Sequence, residues 1–297
     1  MHGNLQPDLP PEFQGEALQA RLQNHLIQLV GDRDPYLAAG RHHLAQQYVQ
    51  STLAQWGVPE AHEFQVRGRC HTNWILPLPA TTEAAKKSPL IVGAHYDTVP
   101  GTPGADDNAS GVGVLLELAR FFAQFPAARP LWLIAFDMEE YGLLGSQAYV
   151  EKLKATQQPV HLMLSLEMLG YYDRTPQSQN YPSPLLTRLY PHRGDFIALI
   201  GNLSTLFAMR RLSQHLKRAG APCEWLPVPN RGKAIPATRR SDHAAFWEGG
   251  YRAMMVTDSA FLRNPHYHQA SDRLDTLDLE MMTRVCQGLI QGLQSLT

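Results

Sequence analysis

Two apolar runs place the strongest constraint on the fold of this chain. Residues 89–94 read PLIVGA and residues 130–136 read PLWLIAF, and neither run contains a charged side chain. Continuous runs of this kind are typical of parallel β-strands that are covered on both faces of a sheet. Residues 110–125, which lie between them, are predicted to form an apolar helix, and neighbouring parallel strands need such a crossover. This order predicts an α/β fold.

Alternation of strands and helices extends over the rest of the chain. Helices are predicted over residues 16–30, 40–56, 143–154, 203–219, 244–250 and 277–296. Strands are predicted over residues 62–68, 72–76, 161–166, 196–201, 223–228 and 252–257, with Pro77 and Pro79 ending the second of these. We therefore expect a mostly parallel central sheet with helices on both faces, formed by a single domain over residues 1–297.

Two segments are predicted to be loops. Residues 80–88, rich in Thr, Ala and Lys, are expected to form a surface loop. Residues 170–194, rich in Tyr, Pro, Ser and Gln, lack any helical or strand periodicity. Because a loop of that length is uncommon inside a compact domain and is usually functional, we expect a lid or pocket loop at about 170–194.

Composition narrows the classes of function. Lys and Arg total 26 against 27 Asp and Glu, so the net charge of −1 gives no basic surplus for nucleic acid or an anionic membrane, and a small, near-neutral substrate is the default partner. The three cysteines form no CxxC pair, which argues against a thiolate zinc site. No signal peptide is seen, so a cytoplasmic protein is expected, or a secreted or periplasmic one if a leader was removed. The sequence gives no oligomeric state.

Side chains that can bind a metal follow three of the predicted strands or lie in the turn between two of them. They are His95, Asp97, Asp106, Asp107, Glu139, Glu140 and Glu167. The carboxyl ends of parallel strands meet at one edge of a sheet, where ligands collect in α/β proteins. Carboxylates gathered at one place repel each other unless a cation lies between them, and a histidine with several carboxylates suits zinc. For each residue a strand-end ion pair, a turn or a helix cap is the structural alternative.

The adjacent pair Glu139–Glu140 indicates hydrolysis. In an irregular segment after a strand, neighbouring side chains can point in different directions, so one carboxylate can bind metal while the other acts on water. A metal lowers the pKa of water towards neutrality, and a nearby carboxylate can accept its proton. The pair therefore favours metal-assisted hydrolysis.

Six motifs resemble those of peptidase family M28, the cocatalytic zinc aminopeptidases. They occur in family order and extend over most of the chain: AHYDT (94–98), GADDNASG (104–111), EEYGLLGS (139–146), LEMLG (166–170), SDHAAF (241–246) and NPHYHQASD (264–272). The resemblance implies a phosphorylase/hydrolase-like zinc exopeptidase fold. It also implies a metal-dependent exopeptidase, most simply an aminopeptidase that removes N-terminal residues from peptides.

The resemblance implies a role for each metal-binding residue. Asp107 matches the carboxylate that bridges two zinc ions (Zn2+). His95 and Glu167 match the other ligands of one ion, and Glu140 and His268 match those of the second. Glu139 matches the general base that acts on the zinc-activated water. Two zinc ions are therefore expected.

Five further residues are assigned by the same resemblance or by their neighbours. Asp97 is expected to hold the His95 ring in the correct tautomer. Tyr267, next to His268, is a candidate for polarising the scissile carbonyl. Asp242 and His243 match a pair on the substrate side, and Met168 is a candidate wall of an apolar pocket. His266 and His243 are the alternatives to His268 as ligand.

One position departs from the family pattern and leaves a second function open. Most aminopeptidases of the family have Asp where this chain has Glu167, so the zinc site that contains Glu167 could differ in shape and one ion is possible. Glutaminyl cyclases, single-zinc transferases of the same superfamily, keep counterparts of Asp107, Glu140 and His268. A cyclase-like transferase is therefore the main alternative, and a non-catalytic zinc-binding module is a third.

Overall fold

A mixed sheet of eight strands forms the centre of the protein in the computed structural model, which describes residues 9–81 and 86–296. The strands are β1 (Glu60–Val66), β2 (Arg69–Leu78), β3 (Leu90–His95), β4 (Leu131–Phe136), β5 (Leu162–Glu167), β6 (Ile197–Asn202), β7 (Cys223–Val228) and β8 (Ala253–Thr257). Their order across the sheet is β1-β2-β4-β3-β5-β8-β6-β7. The central strands β4, β3, β5 and β8 are parallel. Strand β2 and the pair β6–β7 run antiparallel to them, and β1 pairs antiparallel with β2. The expected mostly parallel sheet is confirmed.

Helices cover both faces of this sheet, as the sequence predicts. They are α1 (Gly15–Leu29), α2 (Ala39–Leu53), α3 (Gly111–Gln124), α4 (Leu144–Ala155), α5 (Pro184–Leu189), α6 (Leu206–Arg218), α7 (His243–Glu248) and α8 (Leu279–Leu296). The larger apolar cluster contains residues of α1, α2, α3, α6 and α8, and the smaller one contains residues of α4 and α7 on the opposite face. In the described part of the chain, no helix has the length and apolar character needed to cross a membrane.

The apolar strands are buried because both of their faces meet helices. Along β3, Val92 belongs to the larger cluster and Ile91 to the smaller one. Along β5, Leu164 belongs to the larger cluster and Met163 to the smaller one. Alternate side chains point to opposite faces of a strand, so a strand between two helical layers must be apolar throughout. This is why the two runs without charges identified the central strands.

Two local predictions are corrected by the structure. Pro77 lies inside β2, opposite Trp132 of β4, instead of ending the strand. Its missing N–H is tolerated because residues 77–78 are the last of the strand. The segment 170–194 is not structureless, since it contains α5 and an antiparallel bridge between Asp173 and Gly194. Of the predicted loop at 80–88, residues 82–85 lie outside the described residues.

A buried arginine organises the turn that follows β3. Arg33 has no exposed surface, and its guanidinium donates hydrogen bonds to backbone carbonyls of residues 29, 31, 96, 103 and 104 at 2.7–3.1 Å. Burial lowers the pKa of Arg33 to about 10. The side chain thus satisfies carbonyls that would otherwise be buried without donors. It ties the α1–α2 connection to the loop that runs from His95, the last residue of β3, to Asp107.

Candidate metal centre

Asp107 lies between two histidines at the carboxyl edge of the central strands. Its Oδ1 is 3.3 Å from Nε2 of His95, and its Oδ2 is 3.2 Å from Nε2 of His268. His95 is the last residue of β3, while His268 is on the loop between β8 and α8. Each carboxylate oxygen therefore faces a different imidazole, which is the arrangement of a bridging ligand.

Each histidine has a second carboxylate beside it. The Nε2 atom of His268 is 3.3 Å from Oε2 of Glu140, and the Nε2 atom of His95 is 3.6 Å from Oε2 of Glu167. Glu139 is more distant, with its Oε2 4.0 Å from Nε2 of His95. The structure thus brings together all five predicted ligands, in the two groups expected from the sequence, with Glu139 beside them.

The spacing of these atoms fits divalent zinc. Two donor atoms in a tetrahedral zinc site, each about 2.0–2.1 Å from the ion, lie roughly 3.3 Å apart. Buried polar atoms normally have hydrogen-bond partners. Here four atoms of the predicted ligands are buried without one: Nε2 of His95, Oδ1 of Asp107, Oε1 of Glu140 and Nε2 of His268. Donor chemistry, spacing and unpartnered atoms all fit a metal ion in each group.

Burial and mutual repulsion raise the pKa values of two carboxyl groups in the centre, as expected where negative charge lacks a compensating cation. Burial and the negative charge of Asp107 raise the pKa of Glu140 to about 7. Burial raises the pKa of Glu139 well above its usual value, and the charges of Glu167 and Glu140 raise it further. Burial alone would raise the pKa of Asp107 as well, but the contacts with His268 and His95 lower it. A cation with a double charge would compensate the remaining carboxylates.

Asp97 positions the Glu139–Glu140 pair as well as His95. Its two carboxylate oxygens accept hydrogen bonds from the backbone N–H groups of Glu139 and Glu140, both at 3.1 Å. The Nδ1 atom of His95 contacts the carbonyl oxygen of Asp97 at 3.2 Å and its Oδ1 at 3.4 Å. The predicted contact with His95 is therefore present, and the sequence did not anticipate the stronger contacts to the neighbouring segment.

Buried polar side chains hold the turn that carries Asp107. Asp272 accepts hydrogen bonds from the N–H groups of Asp106 and Asp107 at 2.9 and 3.1 Å. The side chain of Asp106 accepts from Asn264 at 2.7 Å and from the N–H of Gly170 at 2.8 Å. Asp106 thus has the structural role that its turn position suggested, and Asp272 lies next to the ligands.

Ser241 explains how the longer Glu167 is accommodated. The Ser241 hydroxyl donates to Oε2 of Glu167 at 2.7 Å and also contacts the hydroxyl of Ser165 at 2.7 Å. All three side chains are buried. A hydrogen bond that fixes a ligand carboxylate raises its affinity for metal, because less freedom is lost on binding. The carboxylate of Glu167 is therefore held by a dedicated hydrogen-bond donor.

Removing this hydroxyl tests whether it supports metal binding. We expect Ser241→Ala to weaken zinc binding at the His95–Glu167 group by roughly tenfold to a hundredfold, the usual effect of losing such a partner. Zinc content across a series of zinc-buffered solutions measures this loss. Ser204→Ala, which removes an exposed hydroxyl, is the control. Identical zinc titrations for Ser241→Ala and the control would show that the hydrogen bond has no such role.

The predicted substrate-side residues lie around the centre. Asp242 is fully buried with neither carboxylate oxygen hydrogen-bonded, and burial raises its pKa to about 7. His243 is buried at the start of α7, where burial lowers its pKa to about 4 and its Nε2 lies 2.9 Å from the carbonyl of Thr238. The ring of Tyr267 stacks on His268 at 3.8 Å between centroids. Met168 follows Glu167 directly and has no exposed surface.

A second buried cluster behind Glu139 was missed in the sequence. Asp137, fully buried, contacts Nε2 of His42 at 2.8 Å and Nδ1 of His71 at 3.1 Å. Burial alone would raise the pKa of Asp137, but the two histidines lower it to about 2. Asp137 follows β4 directly, so its position was a signal. The histidines are far away in sequence, on α2 and β2, and carried none.

An apolar pocket opens on the β6–β7 side of the centre. Its walls come from the 170–194 segment, from β6 and β7, and from the segments before α7 and after β8. They include Tyr181, Tyr190, Phe196, Ala198 and Trp225. Ala198 pairs with Thr257, which in turn pairs with Glu167. The pocket therefore lies level with the metal ligands, about two strand spacings or roughly 10 Å away. The expected pocket loop at 170–194 contributes one wall.

Fold and site together define an α/β protein with a candidate site for divalent metal at the carboxyl ends of its central strands. The sequence model of peptidase family M28 matches residues 73–292. The match includes every predicted ligand and covers well over half of the chain. The chain belongs to peptidase family M28.

Two curated relatives illustrate the similarity. The uncharacterised protein YfbL of Escherichia coli (strain K12) is 41% identical over 213 residues, which are 68% of this chain and 65% of that protein. A probable leucine aminopeptidase of Arthroderma benhamiae is 30% identical over 217 residues, which are 68% of this chain and 52% of that protein. The matched part of the chain thus spans between about half and two thirds of these relatives.

Three solved structures share the fold. LapA from Legionella pneumophila superimposes with a TM-score of 0.70 at 19% identity, covering 96% of this chain and 73% of that chain. The zinc aminopeptidase BSAP from Bacillus subtilis gives 0.58 at 23% identity, covering 77% and 51%. A glutaminyl cyclase from Porphyromonas gingivalis gives 0.68 at 19% identity, covering 96% and 99%. At these identities the similarity establishes the fold alone.

Proposed function

We propose that this protein is a zinc-dependent aminopeptidase that binds two ions. The observation that carries the proposal is Asp107, whose two oxygens face His95 and His268 at nearly equal distances. Glu167 and Glu140 would complete the two ion sites. Bound zinc would supply Lewis acidity to the substrate carbonyl and to water. The family supports a peptidase, and the named aminopeptidase relatives support removal of N-terminal residues.

Glu139 is suited to the proton transfers of peptide hydrolysis. It lies beside His95 and Glu167 but is more distant from His95 than Asp107 and Glu167 are, and its backbone is fixed by Asp97. Its carboxylate would take a proton from the attacking water as the new C–O bond forms. The same carboxyl group would then protonate the leaving amine as the C–N bond breaks. A carboxylate whose pKa is raised by burial suits both steps.

The surroundings suit a substrate with a free N-terminus and an apolar first side chain. Asp242 offers a buried carboxylate without a partner, which favours a nearby ammonium group. Tyr267, beside His268, presents a phenol whose pKa is raised by burial and by the carboxylates, so it remains a hydrogen-bond donor. The apolar pocket would hold the first side chain, which accords with a relative named as a leucine aminopeptidase.

A glutaminyl cyclase-like transferase is the second candidate. The chain covers 99% of the Porphyromonas gingivalis cyclase but only 51% of the Bacillus subtilis zinc aminopeptidase. In length it therefore resembles the cyclase more closely. In a cyclase, the substrate's own N-terminal amine would attack the carbonyl carbon of the Gln side chain. Glu139 would carry a proton from that amine to the amide nitrogen, which would leave as ammonia as its C–N bond breaks.

A substrate panel with a metal count distinguishes these functions. We expect leucyl and phenylalanyl anilides to be hydrolysed at least tenfold faster than the aspartyl anilide, because a charged side chain would lose its hydration in the apolar pocket. We also expect two zinc ions per chain and no pyroglutamate from a peptide beginning with Gln. One ion together with pyroglutamate formation would replace the aminopeptidase proposal with the cyclase.

A further inference from the structure

The hairpin β1–β2 extends beyond the edge of the sheet where the metal ligands lie. Trp74 of β2 pairs with Ala135 of β4, whose strand ends at the next residue. Arg69, the first residue of β2, therefore lies four residues beyond the end of β4, or about 13 Å at about 3.3 Å per residue. Arg69 pairs with Val66, and the turn between them contains Arg67. The hairpin thus borders the catalytic edge on the β4 side.

Two arginines on this hairpin surround one tyrosine of the α1–α2 connection. The guanidinium carbon of Arg69 lies 4.9 Å from the ring centroid of Tyr36, and that of Arg67 lies 5.9 Å from it. Both arginines are exposed, and neither forms an ion pair with a carboxylate among residues 9–81 and 86–296. Stacking on an aromatic ring orients a guanidinium while leaving its N–H groups free. The hairpin therefore offers ten N–H donors without an anionic partner.

Two tyrosine side chains lie between this arginine pair and the segment that carries the predicted ligand Glu140. The ring of Tyr36 lies 5.2 Å from that of Tyr141, and Tyr141 is the residue after Glu140. The Tyr141 hydroxyl donates to Asp34 at 2.5 Å, which fixes it against the α1–α2 connection. From Glu140 to Arg69 there are only two intervening aromatic side chains. The arginines are therefore within the reach of a short peptide that is bound at the metals.

The order of the strands determines which part of a peptide would approach the arginines. The apolar pocket lies towards β6 and β7, on one side of the ligands, and the hairpin β1–β2 lies on the other side. An N-terminal side chain in the pocket would leave the scissile bond at the ligands. The residues after that bond would then extend past Glu140 towards the hairpin. An extended chain advances about 3.3–3.6 Å per residue, so a carboxylate two or three residues after the bond would reach Tyr36.

We propose that Arg67 and Arg69 form a subsite for a peptide carboxylate on the leaving-group side of the centre. The ligand is the C-terminal carboxylate of a peptide of about three or four residues, which identifies short peptides as the substrate class. The inference rests on the proposed aminopeptidase function. It goes beyond that function because the subsite selects by the distance between the two ends of the peptide.

Binding to a protein without turnover tests the subsite directly. In zinc-loaded Glu139→Gln protein, calorimetry measures the Kd of Leu-Gly-Gly and of its C-terminal amide. We expect the free acid to bind about twofold to fivefold more tightly than the amide, the range of an exposed ion pair. In the R67Q/R69Q background this ratio is expected to fall towards one. Raising the salt to 1 M, where the Debye length is about 3 Å, should have the same effect.

Each further result supports or overturns the subsite. Arg211→Gln, on the exposed side of α6, is the matched control and should keep the ratio of the parent protein. Arg67→Gln alone, which leaves Arg69 on Tyr36, should lower the ratio partway and covers the case of a poorly folded double variant. Tight binding of Leu-Gly-Asp-amide but not of Leu-Gly-Gly would assign the arginines to an acidic side chain and overturn the terminal-carboxylate proposal. Equal binding of acid and amide overturns the subsite alone, whereas no binding of either overturns the aminopeptidase function as well.

Discussion

Glu139→Gln is expected to lower kcat by roughly a hundredfold to ten-thousandfold, the usual contribution of a general base. Glutamine has the same shape as glutamate but cannot accept the proton of water. The backbone N–H that binds Asp97 is retained, so the neighbouring Glu140 keeps its position. Zinc content should remain that of the parent protein, because Glu139 is more distant from His95 than its assigned partners Asp107 and Glu167 are. Turnover of a leucyl anilide and metal analysis of the same sample measure both quantities.

A matched substitution controls for the loss of one negative charge. Glu151 lies on the exposed side of α4, and the Glu151→Gln variant should keep the parent kcat. If Glu139→Gln retained near-normal turnover, Glu139 would not be the base. If it lost zinc together with activity, the residue would be a ligand instead.

Asp107→Asn is expected to have the second large effect, because one side chain serves both groups of ligands. An amide offers only one oxygen, and it carries no charge, so it cannot bridge two cations. We expect the variant to retain fewer than one zinc ion per chain after dialysis and to lose activity by at least a thousandfold, since neither ion site keeps its ligand set. Zinc analysis and anilide turnover at saturating zinc provide the measurements.

The control for this substitution is Asp275→Asn, which neutralises an exposed acid seven residues after His268. It should bind zinc like the parent protein. An Asp107→Asn variant that kept two tightly bound ions would show that Asp107 does not bridge. Retention of a single ion with the parent affinity would mean that His95 and Glu167, or His268 and Glu140, form a complete site without it.

The central part of the fold was predictable from the sequence because burial on two faces leaves a clear pattern. The apolar runs that became β3 and β4 had no alternative consistent with their lack of charge. Other features depend on contacts between distant segments. The position of Pro77 inside β2 follows from its place near a strand end, and the helix α5 lies in a segment without apolar periodicity. The start of α5 does carry a local signal, the N-cap Ser183 followed by Pro184, but no apolar periodicity follows it.

The site was predictable to the extent that its residues lie next to strand ends. His95, Glu140 and Glu167 follow from the strands that carry them, and the family resemblance added His268 from a distant loop. The contact of Ser241 with Glu167 was not predictable, because the motif that contains Ser241 does not show which distant residue the hydroxyl contacts. The same holds for His42 and His71 around Asp137.

The contacts of Asp34, His42 and His71 show that residues before the family match help to shape the candidate site. These three residues precede the segment that matches the family, yet they hold Tyr141 and Asp137 on either side of the Glu139–Glu140 pair. A chain trimmed to the segment that matches the family would keep every predicted metal ligand and lose these supports. We expect such a fragment to position the Glu139–Glu140 pair less well than the full chain does. A shortened form of this protein should therefore retain Asp34, His42 and His71, which lie before residue 73, where the family match begins.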